Sequence, residues 1–337
     1  MQTTQVRLAA RPHGVPMPDD FETVSVDLPP LEDGQVLLEV RYLSLDPYMR
    51  GRMSEAESYA APVPVGGVML GGTVCQVVES RSADRQVGDW VLSYSGWQTH
   101  AVADARHTRR LDPDAAPVST ALGVLGMPGF TAWAGLLLLG RPQPGETVVV
   151  AAATGPVGSA VGQIARLKGA RAVGIAGGPD KCRALLEELG FDAAVDHRAP
   201  DFRDRLADAV PGGIDVYFEN VGGEVLRAVE RHLNLYARIP VCGLVSGYNA
   251  TTAPEGPDRL PGFMRRVLTK SLTVRGFIQS EFEQEHFGAF LEEMSAWVRD
   301  GQVVYREDVT EGLDNVVEAF TGMLAGRNFG KTLVRVS

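Results

Sequence analysis

Polar and apolar positions along this 337-residue chain change rhythm twice. Over roughly the first 110 residues, short apolar runs are broken by turn residues. Segments 21–28 and 35–44 read as strands, the second alternating through Val36, Leu38, Val40 and Tyr42, and 71–79 and 89–93 follow across Gly-rich or polar joints. The pattern predicts an antiparallel, barrel-like β domain. Helical spacing takes over across 121–139, interrupted at Gly126-Met127-Pro128-Gly129. From Thr147 strands alternate with helices: strands at 147–152, 172–176, 193–195, 214–218, 237–242 and 272–277, helices at 157–168, 180–189, 201–209, 222–232 and 258–269. Such alternation builds βαβ units, hence a doubly wound parallel sheet covered by helices on both faces. The tail carries a helix at 284–300, a strand at 303–309, a helix at 313–325 and a strand at 331–336. It has no nucleotide signal and is expected to return to the first domain. The expected divisions are 1–125, 126–298 and 299–337.

The apolar run 147–152 meets a turn of small residues just before a predicted helix. Against the dinucleotide fingerprint G-x-G-x-x-G, the three positions are Ala153, Gly155 and Gly158. Ala153 is small enough for the tight turn, Gly155 lets backbone approach a pyrophosphate, and Gly158 lets helix and strand pack closely. Free amides at the helix start and the helix dipole favour phosphate. An ordinary strand–helix corner is the bland alternative. The end of the second strand selects the nucleotide. NAD-binding folds close that strand with Asp or Glu for the ribose hydroxyl. Here the strand runs into Gly177-Gly178-Pro179-Asp180-Lys181. Two glycines and a lysine suit a 2′-phosphate, so NADP(H) is favoured over NAD(H). The competing reading has Asp180 capping the next helix and Lys181 in solvent.

Composition narrows the partners. A net charge of −10 argues against nucleic acid, whose affinity comes largely from Lys and Arg. The N-terminus lacks an apolar signal region, and the longest apolar candidate, 132–139, is too short to span a membrane. Three widely spaced cysteines, Cys75, Cys182 and Cys242, suit a reducing cytoplasm.

Six ordered blocks carry a family resemblance: Ser44-Leu45-Asp46-Pro47-Tyr48-Met49-Arg50-Gly51-Arg52-Met53, Gly126-Met127-Pro128-Gly129-Phe130-Thr131-Ala132, the fingerprint, Tyr217-Phe218-Glu219-Asn220-Val221-Gly222-Gly223, Cys242-Gly243 with Tyr248-Asn249, and Asn328-Phe329-Gly330-Lys331-Thr332. Over essentially its full length the chain resembles the prostaglandin reductase (leukotriene B4 12-hydroxydehydrogenase, or alkenal double-bond reductase) family of medium-chain dehydrogenases/reductases. The resemblance implies a GroES-like β-barrel domain, a Rossmann domain and a C-terminus returning to the first. It also implies a homodimer formed through a sheet edge near 272–278. Many medium-chain dehydrogenases use zinc. Here Ser44 and Asp46 lie where a ligand cysteine would be expected, Gly71-Gly72 replaces the usual Gly-His-Glu, and none of the six histidines has the spacing of a metal pair. No zinc is expected.

Without a Lewis acid, the acceptor must already be electrophilic, as is a carbon–carbon double bond conjugated to a carbonyl. The resemblance implies NADPH-dependent reduction of such enones and enals: hydride reaches the β-carbon, the carbonyl oxygen gains charge, and a proton arrives at the α-carbon. Tyr248, in a loop leaving a strand at its carboxyl end, is the first candidate for a catalytic donor, and Tyr48 the second. Each has a plainer alternative, cofactor packing for Tyr248 and core packing for Tyr48. Arg50 and Arg52 either hold an acidic group or buttress their loop. By motif, Thr154, Gly155, Pro156, Val157 and Gly158 form the pyrophosphate turn. Gly178 and Lys181 serve the 2′-phosphate, with His197 standing where the family usually has Tyr and Arg198 beside it. Asn220, Cys242, Gly243, Leu244, Val245, Ser246, Phe277, Ile278 and Gln279 come after strand ends, toward the nicotinamide half, and Asn328 reaches the cofactor from the tail. Substrate-facing walls are expected from 44–70, 93–98, 124–130 and 246–265, with 254–262 as a lid. A quinone, iminium or ketone acceptor, or a non-catalytic NADPH-binding scaffold, are the rival readings.

Overall fold

The computed structural model describes residues 1–252 and 256–337. The segment 254–262 expected as a lid begins outside the described residues. Two compact units emerge, one of 1–123 with 307–337 and one of 124–306.

The first unit opens with strand β1 (Gln2–Leu8), paired antiparallel with β2 (Phe21–Asp27). It continues through β3 (Gln35–Ser44), helix α1 (Tyr48–Arg52), β4 (Thr73–Ser80), β5 (Trp90–Ser93), β6 (His100–Asp104) and β7 (Arg109–Leu111). The sequence pattern missed β1, β6 and β7. In β1 the inward positions include Thr3 and Gln5, so apolar alternation is broken. Their polar atoms are satisfied by chain far away: Thr3 donates to the His100 carbonyl at 2.9 Å and Gln5 to Gln98 at 2.8 Å.

The second unit holds α2 (Met127–Ala134), β8 (Thr147–Ala151), α3 (Pro156–Leu167), β9 (Arg171–Ala176), α4 (Pro179–Glu187), β10 (Ala193–Asp196), α5 (Phe202–Ala209), β11 (Ile214–Phe218), α6 (Gly223–Val229), β12 (Leu233–Val241), α7 (Leu260–Thr269), β13 (Thr273–Gly276) and α8 (Ser280–Arg299). All its strand pairs are parallel, in the order β10-β9-β8-β11-β12-β13. Strand order reverses between β8 and β11: successive strands are added outward on one side of β8 and then on the other, the doubly wound arrangement whose ligands lie beyond the carboxyl ends of the strands at that switch. Strand β8 is buried at all five positions, which is why it reads as an unbroken apolar run. Strand β12 starts four residues before its expected start, because exposed Leu235 and Tyr236, the latter at φ 64°, mask the pattern.

The tail supplies β14 (Glu307–Glu311), α9 (Val316–Leu324) and β15 (Lys331–Arg335). Strand β15 runs antiparallel to β3 and parallel to β14, completing a seven-stranded sheet in the first unit. Trp97, fully buried, stacks on Phe21 at 5.7 Å and meets Phe320 of α9 edge-on at 5.4 Å, so the tail shares the core of β1 and β2. The strand expected at 303–309 begins only at Glu307. Residues just before it stay with the second unit, where the Gln163 amide bonds both the N–H and the carbonyl of Val304 at 2.8 and 2.9 Å.

Helix α3 lies unusually close to its neighbours. A methyl at Gly162 would stand 2.0 Å from the buried Phe191 ring. Gly162→Ala is therefore expected to cost about 1–3 kcal/mol by overpacking. Urea denaturation monitored by circular dichroism should show a lowered midpoint, partly restored by adding Phe191→Leu.

Candidate active site

The turn between β8 and α3 is built by sterics. Ala152 adopts φ 52°, and the left-handed step falls there rather than at Ala153 as the fingerprint alignment suggested. Ala153 stays with the sheet, its N–H donating to the Ile175 carbonyl at 3.0 Å. Gly155 precedes the helix in extended conformation, and its N–H reaches the Ala152 carbonyl at 3.0 Å. Pro156 takes the first helical position, where a missing N–H costs nothing. A Cβ at Gly158 would sit 2.5 Å from the Ala152 oxygen, so only glycine lets the helix rest on the turn. First-turn amides of a helix have no intrahelical acceptor. Val157 and Gly158 thus place first-turn N–H groups at the positive end of the helix dipole, an arrangement that favours an anion.

At the end of β9, Gly178 adopts φ 98° and starts α4. One carboxylate oxygen of Asp196 accepts from the N–H of Gly178 at 2.8 Å and of Arg198 at 2.9 Å. Burial opposes its ionisation, but these two donors hold the Asp196 carboxyl below its ordinary value. The bond joins the β9–α4 turn to the end of β10 and brings three basic residues together. A Cβ at Gly177 would meet the Arg198 Nε at 2.8 Å and the His197 Nε2 at 3.0 Å. Burial first, then the charges of Arg198 and Lys181, hold His197 below the usual 6.5, with Asp196 opposing. The N-cap position of α4 is Gly178, and Asp180, in the first turn, pairs with Arg183 at the surface. The sequence pattern pointed to Lys181 and His197 but missed Asp196, a short carboxylate at a strand end.

Between β8 and β11, the Asn220 amide donates to the Ala151 carbonyl at 2.8 Å, across the switch point of the sheet. Beside it Glu219 is buried, and its Oε1 accepts from the N–H groups of Val221 at 2.6 Å and Gly222 at 2.8 Å and from the Tyr217 hydroxyl at 3.1 Å. Burial raises the Glu219 carboxyl, with those donors working against it. The loop after β12 folds back over this turn. Cys242 donates its N–H to the Glu219 carbonyl at 2.9 Å, Val245 to that of Asn220 at 3.2 Å, and Ser246 N–H and hydroxyl to that of Val221 at 3.0 and 2.6 Å. A Cβ at Gly243 would lie 3.2 Å from the Tyr248 hydroxyl, so the phenol turns in over Gly243. Leu244 borders Gly222 and is half exposed. Burial, then the charge of Glu219, push the Cys242 thiol up to about 12, which leaves it inert. After β13, the Phe277 ring is committed to the core against Phe218, 6.1 Å away. Ile278 donates its N–H to Glu281 at 2.8 Å, and Gln279 is half-buried at the start of α8.

Tyr48 and Asn328 belong to the first unit. Tyr48 opens α1, half-buried, with Arg52 5.9 Å from its ring centroid. Asn328 bonds the Gly330 carbonyl at 3.1 Å. Arg50 donates to the Gly14 carbonyl at 2.8 Å and Arg52 to that of Ala61 at 3.0 Å. The zinc position does not suit a metal. Ser44 commits its hydroxyl to Asp46, whose other oxygen receives the Lys331 ammonium at 2.8 Å, and a Cβ at Gly71 would meet the Ser44 carbonyl at 3.2 Å. Among the described residues, no three His, Cys, Asp or Glu converge as metal ligands.

A β-rich unit completed by its own C-terminus, together with a doubly wound unit whose first strand meets its helix through a glycine-spaced turn, defines a medium-chain dehydrogenase/reductase. Residues 4–111 match the family described as "N-terminal domain of oxidoreductase", and 156–296 the one described as "Zinc-binding dehydrogenase". The chain is 55% identical over 330 residues to the NADPH-dependent curcumin reductase of Escherichia coli (98% of this chain, 96% of the relative). It is 41% identical over 326 residues to prostaglandin reductase 1 of Sus scrofa (96% and 95%). The crystal structure of CurA from Vibrio vulnificus in complex with NADPH superposes with a TM-score of 0.96 at 50% identity, covering 99% of each chain. The chain belongs to the zinc-independent alkenal reductase family that includes the curcumin and prostaglandin reductases.

The basic cluster generates a pH test. Were a 2′-phosphate held by this cluster, protonated His197 would add a charge toward it, and the phosphate would raise the His197 pKa. NADPH affinity should therefore rise as pH falls through 7 to 6 and weaken as pH climbs. The phosphate itself titrates near about 6. Calorimetric titration should show a steeper pH dependence for the native protein than for His197→Asn, and none of that difference with NADH.

Proposed function

We propose that this protein reduces the carbon–carbon double bond of α,β-unsaturated ketones and aldehydes at the expense of NADPH. The observation that carries the cofactor choice is the convergence of Lys181, His197 and Arg198 on Gly177-Gly178, where the Asp196 carboxylate is turned to the main-chain N–H groups of Gly178 and Arg198. When bound, NADPH supplies a hydride from C4 of its nicotinamide. The residues around it hold and orient. Gly155, Pro156, Val157 and Gly158 seat the pyrophosphate on the α3 N-terminus, with Thr154 at its edge. Gly178, Lys181 and His197 take the 2′-phosphate. Asn220 and the 242–248 loop (Cys242, Gly243, Leu244, Val245, Ser246, Tyr248) border the nicotinamide half, with Ile278, Gln279 and the Phe277 backbone. Asn328 is assigned to the cofactor by its motif alone.

Hydride addition at the β-carbon moves electrons onto the carbonyl oxygen. A hydroxyl aimed there stabilises the transition state by a few kcal/mol, on the order of 3 for one well-placed donor. Tyr248 fits that role, because its loop is anchored to the β11 end through four main-chain hydrogen bonds and its hydroxyl lies over Gly243. Tyr48 is the second donor, on the substrate side. Water or one of these phenols delivers the proton to the α-carbon. The relatives named for curcumin, prostaglandin and 2-alkenal substrates all point to a conjugated carbonyl as acceptor.

We read the protein as a cytoplasmic homodimer. No helix among the described residues is long and apolar enough to cross a membrane, and all three cysteines are free thiols. Edge strand β13 is exposed at all four positions, and Leu235, Tyr236, Leu268 and Val274 leave apolar surface nearby. Light scattering should find twice the chain mass, falling to one when Val274→Lys charges the edge.

Two kinetic outcomes test the chemistry. Lys181→Ala should raise the NADPH Michaelis constant at least tenfold, the size of about 1.4 kcal/mol, and leave that of NADH nearly unchanged. Equal effects on both would remove Lys181 from phosphate recognition. Tyr248→Phe should lower kcat more than it weakens NADPH binding, with the saturated ketone or aldehyde as sole product by mass spectrometry. Formation of an allylic alcohol would sink the double-bond assignment.

A further inference from the structure

One buried charge pair plays no part in the chemistry above. The side chains of Lys331, which opens β15, and Asp46 are 3% and 7% exposed. The ammonium donates to Asp46 Oδ1 at 2.8 Å and to the Leu45 carbonyl at 2.6 Å, and Ser44 donates to the other carboxylate oxygen. Gly123 makes room for the lysine stem; a Cβ there would stand 3.4 Å from its Cγ. Glu307 lies opposite Lys331 in the β14–β15 register, and its charge also favours the ammonium against burial. Stability alone is a weak reason to bury such a pair: desolvation costs several kcal/mol per ion, and apolar residues of similar volume often do as well. A positional role accounts for it. Asp46 begins the turn into α1: its carbonyl accepts from Met49 N–H at 3.1 Å, and Tyr48 lies two residues on. Both its carboxylate oxygens are held, one by β3 and one by the returning strand.

We propose that the Lys331–Asp46 ion pair is the positioning device for Tyr48: it locks the 44–48 turn to the C-terminal strand and sets a fixed negative charge beside the phenol. Burial disfavours the Tyr48 phenolate most; Asp46, then Tyr94 and Tyr59, disfavour it further, and Arg52 alone favours it. The net result is a hydroxyl that stays protonated, and so remains a donor, at every working pH. Lys331 keeps Asp46 from being an uncompensated buried charge. Both are positioning residues, and only their effect on turnover rests on Tyr48 acting as the substrate-side donor.

The test observes the phenol directly. Ultraviolet tyrosinate titration of the full chain, with Tyr48→Phe subtracted, should show no Tyr48 signal before alkaline unfolding. Asp46→Asn should bring that phenol down by about one pH unit or more, the size of one removed neighbouring charge. Lys331→Met alone risks misfolding. The neutral pair Asp46→Asn with Lys331→Met is therefore made as well, and should melt cooperatively with a downward shift of the same sign but smaller, because the ammonium leaves together with the carboxylate. In turnover, the alkaline limb of the kcat profile should move with the phenol, while NADPH affinity stays within twofold. A phenol that titrates at the same pH in the native protein, Asp46→Asn and the neutral pair overturns the inference. A Tyr48→Phe protein with native turnover would instead count against Tyr48 as a donor, and the titration would still decide the positioning role.

Discussion

Helix α3 can rest on the end of β8 only because Gly158 carries no side chain. That contact decides where the helix N-terminus points and how near its free amides come to the mouth of the sheet. Gly162 continues the same logic one turn on, where the Phe191 ring fills the space a methyl would need. Ala153 and Gly174 keep the strand side equally thin. A nucleotide site of this kind is made by removing atoms, and the close packing that results leaves little slack for larger residues.

Around that seat, acidic residues organise the backbone. Asp196 gives one oxygen to two amides and so gathers Lys181, His197 and Arg198 around Gly177. Glu219 gathers two amides and a phenol at the end of β11, directly under the loop that carries Tyr248. Asp46 holds the Ser44 hydroxyl and the Lys331 ammonium two residues before Tyr48. In all three places a carboxylate stands one or two residues from a group expected to touch ligand, or beneath the loop that bears it, and fixes the main chain that carries it. Short polar side chains suit this work, because an Asp or Glu at a strand end reaches the unpaired amides of the next turn.

The corner where many medium-chain dehydrogenases hold zinc is organised on the same ground. A zinc site needs deprotonated ligands left open to the ion. Ser44 and Asp46 are instead committed to each other and to Lys331, and the glycines at 71 and 72 bring no ligand. A cation is present in that corner of the first unit, but it is an ammonium inside the fold.

Periodicity and small-residue spacing in the sequence alone determined the order of strands and helices from Thr147 onward, the glycine-spaced turn between β8 and α3, the glycines that directly follow β9 and the family. These are local properties: a fully buried strand reads as an apolar run, and a turn that must approach a ligand reads as glycine. Strand β1 was not legible, because its inward Thr3 and Gln5 are satisfied by residues 98–100, almost a hundred positions away. Nor was the start of β14, since Gln163 holds Val304 with the other unit. Within the site, the chain suggested Lys181, His197 and Tyr248, but it could not assign Asp196, Glu219 or the Asp46–Lys331 pair. Their partners are set by strand order and register, and a carboxylate looks the same in a sequence whether it faces water or holds two amides in the dark of the fold. Only tertiary structure decides which of them is buried, and burial is what turns an ordinary charge into a constraint on its neighbours.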